Sequence, residues 1–404
     1  MADVEGALSI TGRRELRESI ASTKNPLIEA IPKVELHVHI EGTLTPELKW
    51  KFSQRNGMIL KHPRTGDVFS SLEELKDSYD TMKPAGGNRM DNEEETLSFF
   101  EAYYGGFEVL KTTEDYHDLA MHYFERAAAM NVRYCEVFFD PQGHTRTGTT
   151  WETMMTGFRS AQRHAEKELN VRRPLGAVAH RTTSTLMLNF CQQVKSVWIM
   201  CLLRDESLQS GMEHYLSALD YRDMIVGIGL DSNEDKRPPL LFEEVFVRAR
   251  ADGFRLTAHC DVGKAYPLEH VQQVASSIGQ TGAERIDHGL NATDSPELME
   301  FIREKGIGMT VCPWSYIRHQ PFDEVFDRIR TLFDAGIKIS IASDDPTFME
   351  DTWIHENLLL VQRFCKFDNG DMLRLARDAI DICWAPPEVK KGMMDELCKV
   401  GPLP

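Results

Sequence analysis

The chain has no Cys-x-x-Cys pair, no apolar run of membrane-spanning length and no excess of positive charge. Its eight cysteines (Cys135, Cys191, Cys201, Cys260, Cys312, Cys365, Cys383 and Cys398) are scattered. That spacing excludes a zinc finger and a disulfide framework, and reads as mostly buried, reduced thiols. The longest apolar runs, at 196–203 and 337–342, have the length of strands, so no membrane span is expected. The first residues are charged rather than a hydrophobic leader, which reads as a soluble cytoplasmic protein. With 63 acidic against 46 basic residues the net charge is -17, and no basic stripe is left for phosphate backbones. Nucleic acid is therefore not expected as a partner.

What is present is a chain of 404 residues, 42% hydrophobic, able to bury a large core. Short β-branched runs recur at 34–39, 132–139, 197–203, 225–230, 255–259, 284–288, 308–312 and 337–342, with helical patterns between them. Eight strands alternating with helices are the count of a closed parallel (β/α)8 TIM barrel. The reading is an N-terminal arm at 1–24 followed by a single barrel domain at 25–404. A helical insertion at about 44–130 follows the first strand, with helical patterns at 72–82 and 92–110. An insertion there falls on the active-site face, as a lid or as a packing appendage. The stretch 172–193 is an unusual loop between a helix at 151–169 and the strand near 197, and it has no functional account.

His37 and His39 lie two apart at the end of the first strand, so both rings project from the same side. His259 and His288 close later strands, and Asp344 and Asp345 follow the eighth. Active residues in such barrels come from the C-terminal ends of different strands. Three imidazoles and one carboxylate suit one Zn²⁺ with an open position for a water whose pKa falls to about 7. His37, His39, His259 and Asp344 are the expected ligands. His288 is then left as general base, and Asp345 can share a proton with a ring nitrogen of the substrate.

The motifs Pro-Lys-Val-Glu-Leu-His-Val-His (32–39), Ile-Asp-His-Gly (286–289), Thr-Val-Cys-Pro-Trp-Ser (310–315) and Ser-Asp-Asp-Pro (343–346) resemble the adenosine and adenine deaminase family of metal-dependent amidohydrolases. The resemblance runs from Asn25 into the 360s. It implies a (β/α)8 barrel, one zinc ion and hydrolytic loss of ammonia from C6 of a purine. The His-x-Glu and Pro-Cys-x-x-Cys signature of the cytidine deaminases is absent. Segments 136–145 and 229–234 resemble the adenine deaminase branch. They make Asp231 and Glu234 candidates for substrate binding, with Glu234 accepting the N9 proton of free adenine.

One motif departs from the family. His-Ala-Gly-Glu is expected after the fifth strand, where its Glu would give the purine a proton at N1, but the chain reads His259-Cys260-Asp261-Val262. Three readings follow: Asp261 takes over as the acid, the substrate differs, or most activity is lost. Glu269 is a weaker substitute for the acid, and Cys260 reads as a packed small residue. Trp314 and Phe348 either stack on a purine or pack the barrel rim. The leading expectation is conversion of adenine to hypoxanthine and ammonia. The alternatives are deamination of adenosine or another 6-substituted purine, and a non-catalytic barrel that binds metal or purine.

Overall fold

A computed structural model describes residues 6–80, 98–169, 194–260 and 267–403. Asp261, Val262 and the stretch 172–193 lie outside the described residues. Eight parallel strands form the barrel: β1 Lys33–His39, β2 Val132–Phe139, β3 Lys195–Leu203, β4 Ile225–Asp231, β5, β6 Arg285–His288, β7 Gly308–Val311 and β8 Ile339–Ile341. β5 is two short pieces, Arg255–Leu256 and His259–Cys260, not the continuous run expected from the sequence. The ring stays joined across that break, where Thr257 donates to the Ile228 carbonyl at 3.1 Å and Asp287 to the Ala258 carbonyl at 3.0 Å. On the other side a parallel bridge between Val38 and Asp344 closes β8 onto β1.

Strands β1 and β2 are buried along their whole length, as expected where helices cover one side and the barrel fills the other. The barrel interior below the strand ends is partly ionic. Arg285 pairs with Glu136, both wholly buried, and its guanidinium lies 4.2 Å from the Trp384 ring centroid. Six of the cysteines are buried free thiols and Cys398 is exposed.

The insertion between β1 and β2 carries described helices at Pro46–Arg55, Leu72–Asp80 and Phe99–Phe107, ahead of the return helix Thr113–Ala129. Helix Phe99–Phe107 starts at a reciprocal cap between Ser98 and Glu101. Its aromatic residues cover the C-terminal mouth of the barrel, so this part of the insertion roofs the pocket. Near the N-terminus, helix Ile10–Ala21 is tied to the loop after β8 by an ion pair of 2.8 Å between Arg13 and Glu350. No described helix is long and apolar enough to cross a membrane.

Candidate active site

The backbone bridge that closes the barrel also assembles the site. His39 N donates to the Asp344 carbonyl at 3.1 Å, and Asp344 N donates to the His37 carbonyl at 3.1 Å. Asp344 and His288 both hold left-handed φ angles, 64° and 65°. Such a conformation is strained for a residue with a side chain and is found where surrounding structure enforces it. Here it turns each side chain from a strand end toward the axis.

His37, His39, His259 and Asp344 each present one ligand atom, all within 4.8 Å of one another. His37 Nε2 lies 3.3 Å from Asp344 Oδ1, and His39 Nε2 lies 3.8 Å from the same oxygen. The Nε2 atoms of His39 and His259 are 3.0 Å apart. His288 and Cys312 form an overlapping group with His37 and Asp344, and His39, Asp140 and Asp231 form another.

Hydrogen bonding fixes which nitrogens face the centre. Thr310 Oγ1 donates its one proton to Asp287 at 2.8 Å, so at 2.8 Å from His37 Nδ1 it can only accept. His37 is thereby assigned the Nδ1–H tautomer, with its lone pair on Nε2. That buried Nε2 has no hydrogen-bond partner. Asp287 also stands 3.8 Å behind His259 Nδ1, and Asp231 stands 3.5 Å behind His39 Nδ1. Carboxylates behind ligating imidazoles orient the rings and raise their basicity. These observations fit a divalent cation at the Nε2 atoms and Asp344.

The electrostatics agree with neutral imidazoles at His39, His259 and His288. Burial and the neighbouring His37 lower His39 to about 3 and His288 to about 4. Burial also holds His259 well below the usual imidazole value. Burial pushes the Asp344 carboxyl up, but the histidines around it outweigh that and hold it well below the usual carboxylate range. Asp345 moves the other way: burial and the charge of Asp344 raise it well above the usual carboxylate range.

Above this cluster lies a pocket with about 100 Å³ of free volume, lined on one side by Asp345, His288, Ser315 and Arg318. Asp140, Asp231 and Glu234 line it elsewhere, under Phe99, Phe100, Tyr103 and Tyr104. His288 Nδ1 is 3.0 Å from the Tyr316 hydroxyl, which itself accepts from Cys312 N at 3.1 Å. Glu234 is buried rather than solvated: its Oε2 is 3.0 Å from Arg204 Nη1 and 3.1 Å from His270 Nδ1. Arg204, wholly buried at the end of β3, also donates to the His259 carbonyl. It therefore links Glu234 to a residue of the histidine cluster.

The expected residues His37, His39, His259, Asp344, His288, Asp345, Asp231 and Glu234 come together in this one site. Glu269 does not: it is exposed on helix Pro267–Ser276, accepting from Gln273 at 3.1 Å. Trp314 and Phe348 pack rather than stack on a ligand. Trp314 Nε1 donates to Glu350 at 2.7 Å, and Phe348 stacks on Tyr79 at 5.4 Å. Sequence reasoning passed over Asp140, which accepts from the Tyr103 hydroxyl at 2.6 Å, and Arg204. Both sit at strand ends, the signal that identified the histidines.

A family model described as adenosine deaminase matches residues 32–400. An adenine deaminase from Rhodospirillum rubrum is 35% identical over 92% of this chain and 98% of its own length. The solved structure of an adenine deaminase from Arthrobacter aurescens superposes with a TM-score of 0.75 at 29% identity, covering 92% of this chain and 99% of that one. An amidohydrolase from Burkholderia ambifaria, solved with bound Zn, gives a TM-score of 0.74 at 25% identity over 93% of this chain and 92% of its own.

Proposed function

The chain belongs to the adenosine deaminase family, and on that premise we propose that it hydrolyses adenine to hypoxanthine and ammonia, using one Zn²⁺ held by His37, His39, His259 and Asp344. The observation that carries the proposal is the meeting of three imidazole nitrogens and one carboxylate oxygen within 4.8 Å at the floor of a pocket bordered by the buried Glu234. Three nitrogens and an oxygen suit Zn²⁺, and an amidohydrolase of the same fold holds that metal.

A Zn²⁺ bound by these four residues would supply Lewis acidity, lowering the pKa of a water to about 7. The chain does the rest. His288, neutral and lining the pocket, takes the proton as water adds to C6. Asp345, raised well above the usual carboxylate range, shares a proton with a ring nitrogen. Asp231 backs His39 and borders the bound purine. Asp261, outside the described residues, protonates N1; His288 then passes its proton to the 6-amino group, which leaves as ammonia as the C6 hydroxyl becomes the carbonyl and returns its proton to Asp261.

Glu234 accepts the N9 proton. Arg204 fixes the position of that carboxylate from 3.0 Å away. A nucleoside has no proton at N9, and forgoing a hydrogen bond to a charged group costs about 1.5–3 kcal/mol.

Val262, where the family carries its acid, favours a second reading, in which the 6-substituent removed is not a simple amino group. Ammonia release from a panel of 6-substituted purines tests both. Activity on adenine supports the first, and release of a different group from C6 supports the second. No turnover of any member by metal-loaded protein would falsify the enzymatic reading.

A further inference from the structure

Tyr104 sits on the pocket roof, and its hydroxyl is held by two loops of the barrel. It lies 2.8 Å from Asp205 Oδ2, beyond β3, and 2.6 Å from Ser232 Oγ, beyond β4. Ser232 in turn donates to Asp205 Oδ1 at 3.1 Å, closing a cluster of two hydroxyls around one carboxylate. Ser232 reaches this position with a left-handed φ of 69°, a strain that surrounding structure must hold in place. The Tyr104 ring is fixed as well. The Arg146 guanidinium lies 4.5 Å from its centroid and pairs with Glu206 at 3.2 Å, and the Phe100 ring stacks on it at 5.9 Å. The loops after β3 and β4 and the end of helix Pro141–Arg146 thus converge with the roof helix on one phenol.

This latch stands on a defined edge of the pocket. Ser232, which it grips, is followed by Asn233 and Glu234, and Tyr104 and all three of these residues line the same cavity. The cavity's free volume of about 100 Å³ is well below the roughly 300–1,000 Å³ of pockets that enclose larger ligands. We propose that Tyr104 is a specificity-determining residue, walling off the Glu234 edge so that the pocket takes a free purine base and rejects one carrying a sugar at N9. The proposal rests on the reading that Glu234 faces N9. Glu234 then disfavours the nucleoside because that ligand brings no N9 proton, and Tyr104 disfavours it by occupying the path of the sugar.

The zinc-loaded wild-type, Tyr104→Phe and Tyr104→Ala proteins are compared for kcat/KM on adenine and adenosine. Calorimetry measures binding of the products hypoxanthine and inosine to the same proteins. In Tyr104→Ala the adenosine-to-adenine ratio rises by about tenfold or more, the scale of discrimination that a pocket wall provides, and inosine binding strengthens relative to hypoxanthine. Tyr104→Phe keeps the packed ring and loses the latch hydroxyl, so it shows a smaller rise. Ratios equal to wild type in both folded variants overturn the proposal, as does an equal loss on base and nucleoside, the mark of a merely structural roof. If wild type fails to deaminate adenine, the activity reading falls by itself, and the hypoxanthine-to-inosine binding ratio still decides the role of Tyr104. A wild type that binds neither product leaves no base pocket to close and overturns the proposal too.

Discussion

His39 Nε2 and His259 Nε2 lie 3.0 Å apart, although they come from β1 and β5. Both rings are buried and held neutral by that burial, with a carboxylate behind each Nδ1. A contact this short needs either a proton on one of the two nitrogens or a cation shared by both lone pairs. Chelation is therefore expected to abolish turnover and lower the thermal midpoint, since a ligand that binds only the folded state stabilises it by about 2.7 kcal/mol at a hundred times its Kd. Zn²⁺ restores both. A midpoint indifferent to chelator and to added zinc would contradict the metal centre.

His288 shares an overlapping metal-capable group with His37, Cys312 and Asp344, yet it is read as the base. His288→Asn is expected to lower kcat by about 10² to 10⁴ while zinc per chain stays at one. Loss of the metal in this variant would move His288 into the ligand set.

Gly42 packs directly on Asp345. A Cβ there would stand 2.6 Å from Asp345 Cα and press on its carboxylate. Gly42→Ala is expected to displace that carboxylate, and a shift of about 1 Å at a reacting group can cost about 10²-fold in rate. Because the clash reaches the Asp345 backbone beside the ligand Asp344, the unfolding midpoint should fall as well, and zinc content is measured in parallel to separate loss of metal from displacement of the carboxylate. Wild-type kcat/KM in Gly42→Ala would show that Asp345 does not act on the substrate.

Arg204 and Glu234 form a buried ion pair that also ties to the His259 carbonyl. Removing one member of such a pair leaves a charge without its compensation and costs about 3–5 kcal/mol. Arg204→Leu is expected to lose stability on that scale in urea unfolding and to lose much of its preference for adenine. Glu234→Gln, which keeps the shape, should lose the preference with a smaller loss of stability. A Glu234→Gln protein that still discriminates as wild type does would remove Glu234 from the N9 edge.

The metal-capable cluster was legible because its logic is local. Strand side chains alternate, barrel sites gather at strand ends, and His37, His39, His259, His288 and Asp344 each carry that signature within a few residues. What was not legible depends on contacts between distant segments. Arg204 and Glu234 follow different strands, and nothing near Glu234 in sequence distinguishes a buried partner of Arg204 from a solvated loop acid. Of the helical pattern at 92–110, residues 92–97 lie outside the described residues; the helix Phe99–Phe107 was legible, but not its direction. Only the fold places Phe100 and Tyr104 over the pocket. Trp314 and Phe348 lie beside true site residues, and their turn toward Glu350 and Tyr79 is a matter of packing. The break in β5 has the same origin: Thr257 and Ala258 bond to β4 and β6 through single backbone contacts that no hydrophobic run announces.

The most direct test of the account is the steady-state kcat/KM of the zinc-loaded protein for adenine and for adenosine, followed by ammonia release. Conversion of adenine to hypoxanthine is expected, with adenosine at least about tenfold poorer, the scale set by losing the N9 hydrogen bond to Glu234. Equal or better turnover of adenosine, or no ammonia from either purine, would contradict it.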